Sequence, residues 1–243
     1  MYPLPQSKSR FVSLLLIGAA CLLLSGCVYL RLLELKKQFS HFEENFTVPA
    51  TEDLTIHCLH PLLKADDLRW IGAEPKTITP RANGEEWLIR WVKEPAPGIK
   101  EEHLYDMEIT AFFADGRVFE ARIPKRYLAY VSKDLLLAML RSTGTAKVNK
   151  DDRNAEAQTE APSSAAMPNL SSIHGMMGEP TRKQSTRDQV IHFYRYRLDV
   201  ETTRTKPIEI VFIFDSTTGE LRKFTARLPR GTLNYEFKPT APH

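Results

Sequence analysis

Ala121-Arg122-Ile123-Pro124 recurs 105 residues later as Ala226-Arg227-Leu228-Pro229, and this self-similarity decides the predicted fold. Further pairs at the same spacing are Leu68 and Ile173, Glu74-Pro75 and Glu179-Pro180, Arg90 and Arg195, and Trp91 and Tyr196. Chance rarely keeps register at both ends of so long a segment. The sequence therefore predicts two tandem repeats.

Each repeat has the pattern of a short helix followed by antiparallel strands. In the second repeat, aromatic and β-branched residues, which favour strands, are concentrated in 190–198, 209–214 and 221–228. Small polar residues and a glycine at 215–219 are typical of a hairpin turn. The first repeat has strand-like segments in the same order, over 87–93, 106–113 and 117–123. Helices that cover one face of each small sheet would give an α+β architecture.

The stretch Leu24-Ser25-Gly26-Cys27 resembles the lipobox of bacterial lipoproteins. It follows Lys8, Arg10 and an uncharged run over 11–24 that is too short to span a bilayer core of roughly 30 Å as a helix. The resemblance implies that a signal peptide, 1–26, is cleaved and that the Cys27 thiol carries a lipid. An ordinary secretory signal or an uncleaved anchor is the alternative.

The residue after Cys27 bears on localisation. In Gram-negative lipoprotein sorting an aspartate there commonly retains a protein at the inner membrane, so Val28 favours the outer membrane, with the protein facing the periplasm. Without the signal, 31 Lys and Arg balance 30 Asp and Glu, which gives no electrostatic argument for nucleic acid as a partner. Once Cys27 is lipidated only Cys58 remains, which excludes an intramolecular disulfide.

Two helices and a linker complete the expected organisation. Residues 29–46 predict an amphipathic helix that packs on the protein's own body, lies on lipid or pairs with a partner helix. Ser132 can cap a helix over 133–141, with Gly144 placed to end it. The predicted map is 1–26 signal peptide, 27–47 lipidated cysteine and amphipathic helix, 48–141 first repeat with C-terminal helix, 142–168 flexible linker, 169–238 second repeat and 239–243 tail.

We therefore predict an α+β fold in which two tandem helix-plus-antiparallel-sheet repeats follow the lipoprotein signal and the amphipathic helix. The second repeat resembles the SmpA/OmlA (BamE-like) outer-membrane lipoproteins. The matching motifs are Met177-Gly178-Glu179-Pro180, Tyr194-Arg195-Tyr196-Arg197 and 208–219. A tandem pair of such units is also similar in architecture to the β-lactamase inhibitory proteins, and the whole is closest to uncharacterised proteobacterial lipoproteins. The resemblance implies a small αβ scaffold that binds another protein.

The candidate binding residues combine aromatic rings with guanidinium groups, which are enriched at protein interfaces. They are Trp87, Arg90, Trp91, Tyr194, Arg195, Tyr196 and Arg197. Tyr194 and Tyr196 share one side of a strand while Arg195 and Arg197 share the other, so only one side can be core. The alternative is that the aromatic side is core and the arginines only line a solvated face.

Catalytic and metal-binding signals are weak. His57-Cys58-x-His60 offers potential ligands, but no second cluster supplies the rest of a metal site. The acidic pairs Asp66-Asp67, Glu85-Glu86 and Glu101-Glu102 lie beside turn formers and indicate solvated loops. No phosphate-binding glycine loop or nucleophile motif occurs. We expect no enzyme activity, no cofactor and no metal.

The expected function is that of a lipid-anchored cell-envelope protein acting as a protein-binding or structural scaffold module, with a link to outer-membrane assembly or integrity. Its expected partners are the membrane, through the lipid, and an envelope protein of unknown identity. One alternative is a periplasmic inhibitor or ligand-binding lipoprotein, which a concave pocket between the repeats, lined by strands, would favour. Another is an envelope hydrolase, which requires a convergent cluster of polar residues.

The anchor gives a direct test. Replacing Cys27 with Ala should abolish incorporation of labelled fatty acid and block signal-peptide processing, because the thiol that accepts the lipid is gone. Metabolic labelling of the wild-type and Cys27→Ala proteins, with Cys21→Ala as the matched control, checks this. Unchanged labelling of Cys27→Ala would show that the lipid is not on this residue.

Overall fold

The computed structural model describes residues 28–100, 103–162, 165–200 and 206–238. The predicted signal peptide, Cys27 and the tail 239–243 lie outside the described residues, so the predictions about them stay predictions. Within these ranges the helices are α1 (Val28–Ser40), α2 (Phe42–Asn45), α3 (Ala65–Ile71), α4 (Lys125–Leu128), α5 (Lys133–Thr145) and α6 (Leu170–Met177).

The strands range from two to ten residues in length. They are β1 (Phe46–Thr47), β2 (Leu54–Cys58), β3 (Thr77–Arg81), β4 (Gly84–Lys93), β5 (Met107–Ala114), β6 (Arg117–Ile123), β7 (Lys147–Asn149), β8 (Asn154–Glu160), β9 (Arg182–Ser185), β10 (Gln189–Leu198), β11 (Ile208–Asp215), β12 (Leu221–Leu228) and β13 (Gly231–Lys238). They form one mixed sheet in the order β1-β2-β6-β5-β4-β10-β11-β12-β13-β8-β7, while β3 pairs with β4 and β9 with β10.

The prediction of two tandem helix-plus-sheet repeats is wrong. The fold is dominated by a single sheet of 13 strands with short helices, because β4 of the first half pairs directly with β10 of the second half. Tyr196 lies opposite Lys93 and Leu198 opposite Trp91. We call this pairing of β4 with β10 the seam. Hydrogen bonds across the seam join the two halves into one structural unit.

The sequence repeat corresponds to repeated strand pairing within this one sheet. Trp87 on β4 pairs with Ala111 on β5, and His192, 105 residues after Trp87, pairs with Phe212 on β11. At the seam Val92 pairs with Arg197, which is also 105 residues later. Equivalent residues therefore face each other, and the two halves are related by an approximate twofold axis through this pair.

The tetrapeptides that suggested the repeat are not structurally equivalent. Ala111 and Phe212 are structural counterparts, because they pair with Trp87 and His192. Ala121 on β6 pairs with Ala111, whereas the residue that pairs with Phe212 is Phe224 and not Ala226. The second copy is therefore displaced by two residues along its strand. Since side chains alternate with a period of two, a shift of two keeps each side chain on the same face of the sheet.

Within the range predicted as a flexible linker, 142–168, the described residues 142–162 and 165–168 include regular secondary structure. This range contains the end of α5 together with β7 and β8, and β8 runs parallel to β13 over its whole length. Ala157 and Thr159 on β8 are buried, and the Thr159 hydroxyl lies 2.8 Å from that of Ser142 on α5. Small side chains suffice here because the helix approaches the strand closely, so the lack of large apolar residues did not indicate disorder.

The helices pack on one face of the sheet. Leu68 on α3 lies in a buried cluster with Trp87, and Ile173 on α6 lies in another with Tyr194 and Tyr196. Of the three options for the amphipathic helix, packing on the protein's own body is observed, because Phe39, Phe42 and Phe46 of α1, α2 and β1 stack in a cluster with Leu54 and Ile56.

Helix α5 begins as predicted but continues through the residue expected to end it. The hydroxyl of Ser132 accepts a hydrogen bond from the Leu135 N–H at 3.2 Å, which confirms the predicted cap. Gly144 lies inside the helix and is buried. A Cβ at this position would overlap the backbone of Phe39 and Ser40 on α1. This glycine therefore permits two helices to approach closely.

Replacing Gly144 with Ala should destabilise the protein by about 1–3 kcal/mol, because the added methyl group forces α1 away from α5. The higher helix propensity of alanine would by itself stabilise α5 by about 1 kcal/mol relative to glycine. A net loss of stability would therefore show that the overlap with α1 dominates. Gly175→Ala on α6 is the matched control, since its Cβ would meet only the movable ring of Tyr130 at 2.7 Å. Chemical denaturation measures both; equal effects would contradict the close approach at Gly144.

Candidate functional site

Three of the predicted binding residues are buried in the core. The side chains of Trp87, Tyr194 and Tyr196 are fully buried. Tyr196 also donates a hydrogen bond to the carbonyl of Tyr105 at 3.2 Å. A partner could reach these three side chains only if the helices that cover this face of the sheet moved away, so their burial fits the alternative that the aromatic side is core. Trp91 is partly buried at the edge of the same core.

The arginines lie on the opposite face of the sheet, where acidic side chains pair with them. Arg195 and Arg197 both contact the carboxylate of Glu94, at 3.5 and 2.5 Å. Arg90 contacts the buried carboxylate of Asp106 at 2.8 Å. Arg90 is thus paired with a buried carboxylate, whereas Arg195 and Arg197 share one carboxylate between them. The role of these arginines in partner binding stays a prediction.

The most distinctive concave feature is an apolar cavity of about 310 Å³ between the sheet and the helices α4, α5 and α6. Both halves of the sheet supply its walls. Its lining residues are Trp91, Met107, Glu108, Ile109, Ile123, Tyr127, Val131, Leu135, Leu136, Met139, Pro168, Ile173, Met176, Met177, Ile208, Ile210, Phe212, Leu221, Phe224 and Phe237. We call this space the cavity.

The polar groups at the cavity wall are engaged with the protein itself. The Tyr127 hydroxyl accepts a hydrogen bond from the Glu108 N–H at 2.9 Å and donates one to the Asp106 carbonyl at 3.2 Å. The Glu108 carboxylate pairs with Arg126 at 3.1 Å. The exception is the Nε1–H of Trp91, which also lines the cavity and is buried without a hydrogen-bond partner. The rest of the wall offers no free polar side chain, so the cavity fits a hydrocarbon group.

Methionine is concentrated around the cavity. Four of the six methionines in the chain, Met107, Met139, Met176 and Met177, line it. Unbranched thioether side chains adapt to irregular shapes, a property used by surfaces that accept varied apolar ligands. Sequence reasoning missed these residues, because single methionines on helices and strands are typical of any core. Their clustering is visible only after folding.

A second distinctive feature joins α1 to α3. Arg31 on α1 donates two hydrogen bonds, of 2.7 and 2.6 Å, to the fully buried carboxylate of Asp67. The Lys64 N–H at the start of α3 donates a third, at 2.8 Å. Burial alone would raise the pKa of Asp67, but the bonds from Arg31 and Lys64 outweigh it and hold this pKa below 3.8. Asp67, predicted to lie in a solvated loop, is therefore a buried anchor for α1.

The potential metal ligands do not converge. His57 pairs with Glu120 at 2.9 Å, while burial raises the pKa of the Cys58 thiol to about 11. Across the described ranges, no group of three or more His, Cys, Asp and Glu side chains is placed to hold a metal ion. None of the described helices is long and apolar enough to cross a membrane.

Comparison with protein-family models, with curated proteins and with solved structures found no match to this chain. The resemblance to SmpA/OmlA lipoproteins therefore stays a prediction that rests on the quoted motifs. Function has to be argued from the cavity and the surface of the protein.

The Arg31–Asp67 pair predicts a pH-dependent contribution to stability. Asp67→Asn should cost about 3–5 kcal/mol at neutral pH, because it removes the buried carboxylate charge that accepts two hydrogen bonds from Arg31. The folded-state pKa of Asp67 is lowered, so the stabilisation is present above about pH 4 and is lost as the pH falls through that lowered pKa.

Unfolding measured between pH 7 and pH 2 should therefore show the gap between wild type and Asp67→Asn closing in acid. Asp66→Asn is the matched control, since this neighbouring carboxylate is exposed and pairs only with the exposed Arg69. A gap that stayed constant with pH would contradict the assignment.

Proposed function

We propose that this protein is a lipid-anchored envelope protein that binds an acyl chain in the cavity. The observation that carries the proposal is the cavity itself, an apolar space of about 310 Å³ walled by strands of both halves and by two longer helices. A concave apolar space lined by strands of both halves favours a ligand-binding lipoprotein over a flat protein-binding scaffold. Cys27, the predicted lipid site, would hold the protein at a membrane.

The size of the cavity supports a ligand. An engineered cavity of about 150 Å³ in another protein binds benzene, and ligand pockets begin at roughly 300 Å³. Contact between such apolar walls and water is unfavourable, at roughly 25 cal/mol for each Å² of apolar surface. A bound chain would cover this surface.

The chemistry of the walls supports a hydrocarbon chain in particular. The hydroxyl of Tyr127 and the carboxylate of Glu108 are already hydrogen-bonded or ion-paired. A polar group placed inside would lose its hydration and could meet at most one unpaired donor, the Nε1–H of Trp91, at a cost of about 1–3 kcal/mol or more for each polar atom left unpaired. A flexible chain between methionine and branched aliphatic side chains pays no such penalty. Acyl chains are the commonest molecules of this kind at a membrane.

Binding should appear as stabilisation. Hexadecanoate at about a hundredfold excess over its dissociation constant should raise the free energy of unfolding of the full chain by about 2.7 kcal/mol. Native mass spectrometry of the same sample should show one added acid per protein. Met139→Trp, which places a larger ring in the cavity, should remove both effects.

Leu137→Trp is the matched control, because Leu137 lies on the same helix but packs against the cluster of Phe42, Phe46 and Leu54. It should bind hexadecanoate as the wild type does. Thermal unfolding without ligand shows whether each variant is folded. If Met139→Trp is folded and still binds the acid, the ligand lies elsewhere and the proposal is wrong.

A further inference from the structure

The start of α1 has a fixed place relative to the predicted anchor. Val28, its first residue, follows Cys27 directly, and consecutive Cα atoms are about 3.8 Å apart. A lipid on Cys27 would therefore hold the first turn of α1 at the membrane surface. The surface that surrounds this turn must then face the lipid.

Two contacts show which elements surround the first turn of α1. Arg31 is held to Asp67 on α3 at 2.6 Å, which places this turn beside α3. The ammonium of Lys150, in the turn between β7 and β8, lies 5.6 Å from the centre of the Tyr29 ring. One helix and one hairpin turn are therefore neighbours of the chain where it emerges.

The turn between β12 and β13 connects these two neighbours. The guanidinium of Arg230 lies 5.9 Å from the Trp70 ring of α3. On its other side, the Thr232 N–H donates a hydrogen bond of 2.9 Å to the carbonyl of Arg153, in the β7–β8 turn. These segments and the start of α1 thus form one continuous end of the molecule.

This end exposes large apolar side chains. Leu30 is 42% exposed, Trp70 37%, Val148 40% and Leu228 36%. The charges of the two turns at this end nearly cancel. Three are positive, on Lys150, Arg153 and Arg230, and two are negative, on Asp151 and Asp152. Tryptophan and aliphatic side chains with a polar border favour the interface between headgroups and acyl chains. The contact is therefore apolar more than electrostatic.

We propose that Leu30, Trp70, Val148 and Leu228 form a lipid-contacting surface that rests on the bilayer beside the anchor. The proposal rests on the lipid at Cys27, which is part of the proposed function, and does not depend on the cavity. A short amino-terminal link and an apolar surface act together, because the link alone would leave the body free to rotate and the surface alone is small. Their combination would fix the orientation of the protein on the membrane.

The test measures how close Trp70 comes to the acyl chains. The full chain, purified with its lipid, is reconstituted into vesicles of phosphatidylethanolamine and phosphatidylglycerol with brominated acyl chains, which quench nearby tryptophans. Wild type and Trp70→Phe are compared. Trp70→Phe should lose the larger part of the quenching, because Trp87 is buried in the core.

The tryptophans that remain in Trp70→Phe are the buried Trp87 and Trp91, which lines the cavity. Residual quenching that disappears in Trp70→Phe with Trp91→Phe reports on the proposed acyl-chain binding. The lipid-contacting surface and the acyl-chain binding in the cavity are therefore tested independently of each other. The matched control is Thr217→Trp in the Trp70→Phe background, since the exposed Thr217 lies in the turn at the opposite end of β12 from Leu228. With eight residues of strand between the ends, the two sites are about 25 Å apart.

The expected result is strong quenching of wild type, weak quenching of Trp70→Phe and no gain from Thr217→Trp. Removing phosphatidylglycerol should change this pattern little. Equal quenching of wild type and Trp70→Phe would overturn the proposal, as would restoration of quenching by Thr217→Trp. A protein that does not carry the lipid and does not float with the vesicles would overturn it as well.

Discussion

The seam between β4 and β10 is the constraint on which the rest of the structure depends. Only three residue pairs form its ladder, and the N–H groups of Glu94 and Asp199 extend it on either side, each donating a hydrogen bond of 2.8 Å to the arginine carbonyl opposite. These two bonds are themselves related by the 105-residue repeat. Because the seam is short, the two halves are offset along their strands, and α3 and α6 lie over opposite ends of one face. Helices α4 and α5 lie in the space between α3 and α6, and the cavity is beneath them.

The cavity and the stability of the fold are in tension. Full packing beneath α5 and α6 would stabilise the sheet, yet methionines and medium-sized aliphatic side chains leave a space there. Elsewhere the packing is close, as at Gly144, where two helix backbones nearly touch, and at β8, where alanine and threonine are enough. The apolar cavity thus contrasts with the close packing at these two places, which is the pattern expected when a protein gives up stability for a binding function.

Local patterns in the sequence predicted local structure well and long-range pairing poorly. The strand proposed over 190–198 is β10 almost to the residue, and the Ser132 cap of α5 is present. In contrast, β8 carries no large apolar residues, and its strand conformation depends on β13, nearly 80 residues later. The seam was missed for a similar reason. A strand at the edge of one half that pairs with the other half has the same sequence pattern as an edge strand exposed to water. The cavity residues could not be recognised, since a space between side chains has no signature along the chain.

The near-twofold relation between the halves has a consequence for association. Each half presents at the seam an edge that resembles the edge of its partner, with Val92 opposite Arg197 at the axis. Two copies of the chain could therefore exchange halves and rebuild the same ladder of hydrogen bonds between molecules, which is the geometry of domain swapping. The closed monomer is favoured because the chain that links the halves keeps each edge at a high effective concentration near the other. If the proposed lipid on Cys27 concentrates copies of the chain at a membrane surface, this intramolecular advantage is what opposes the exchange.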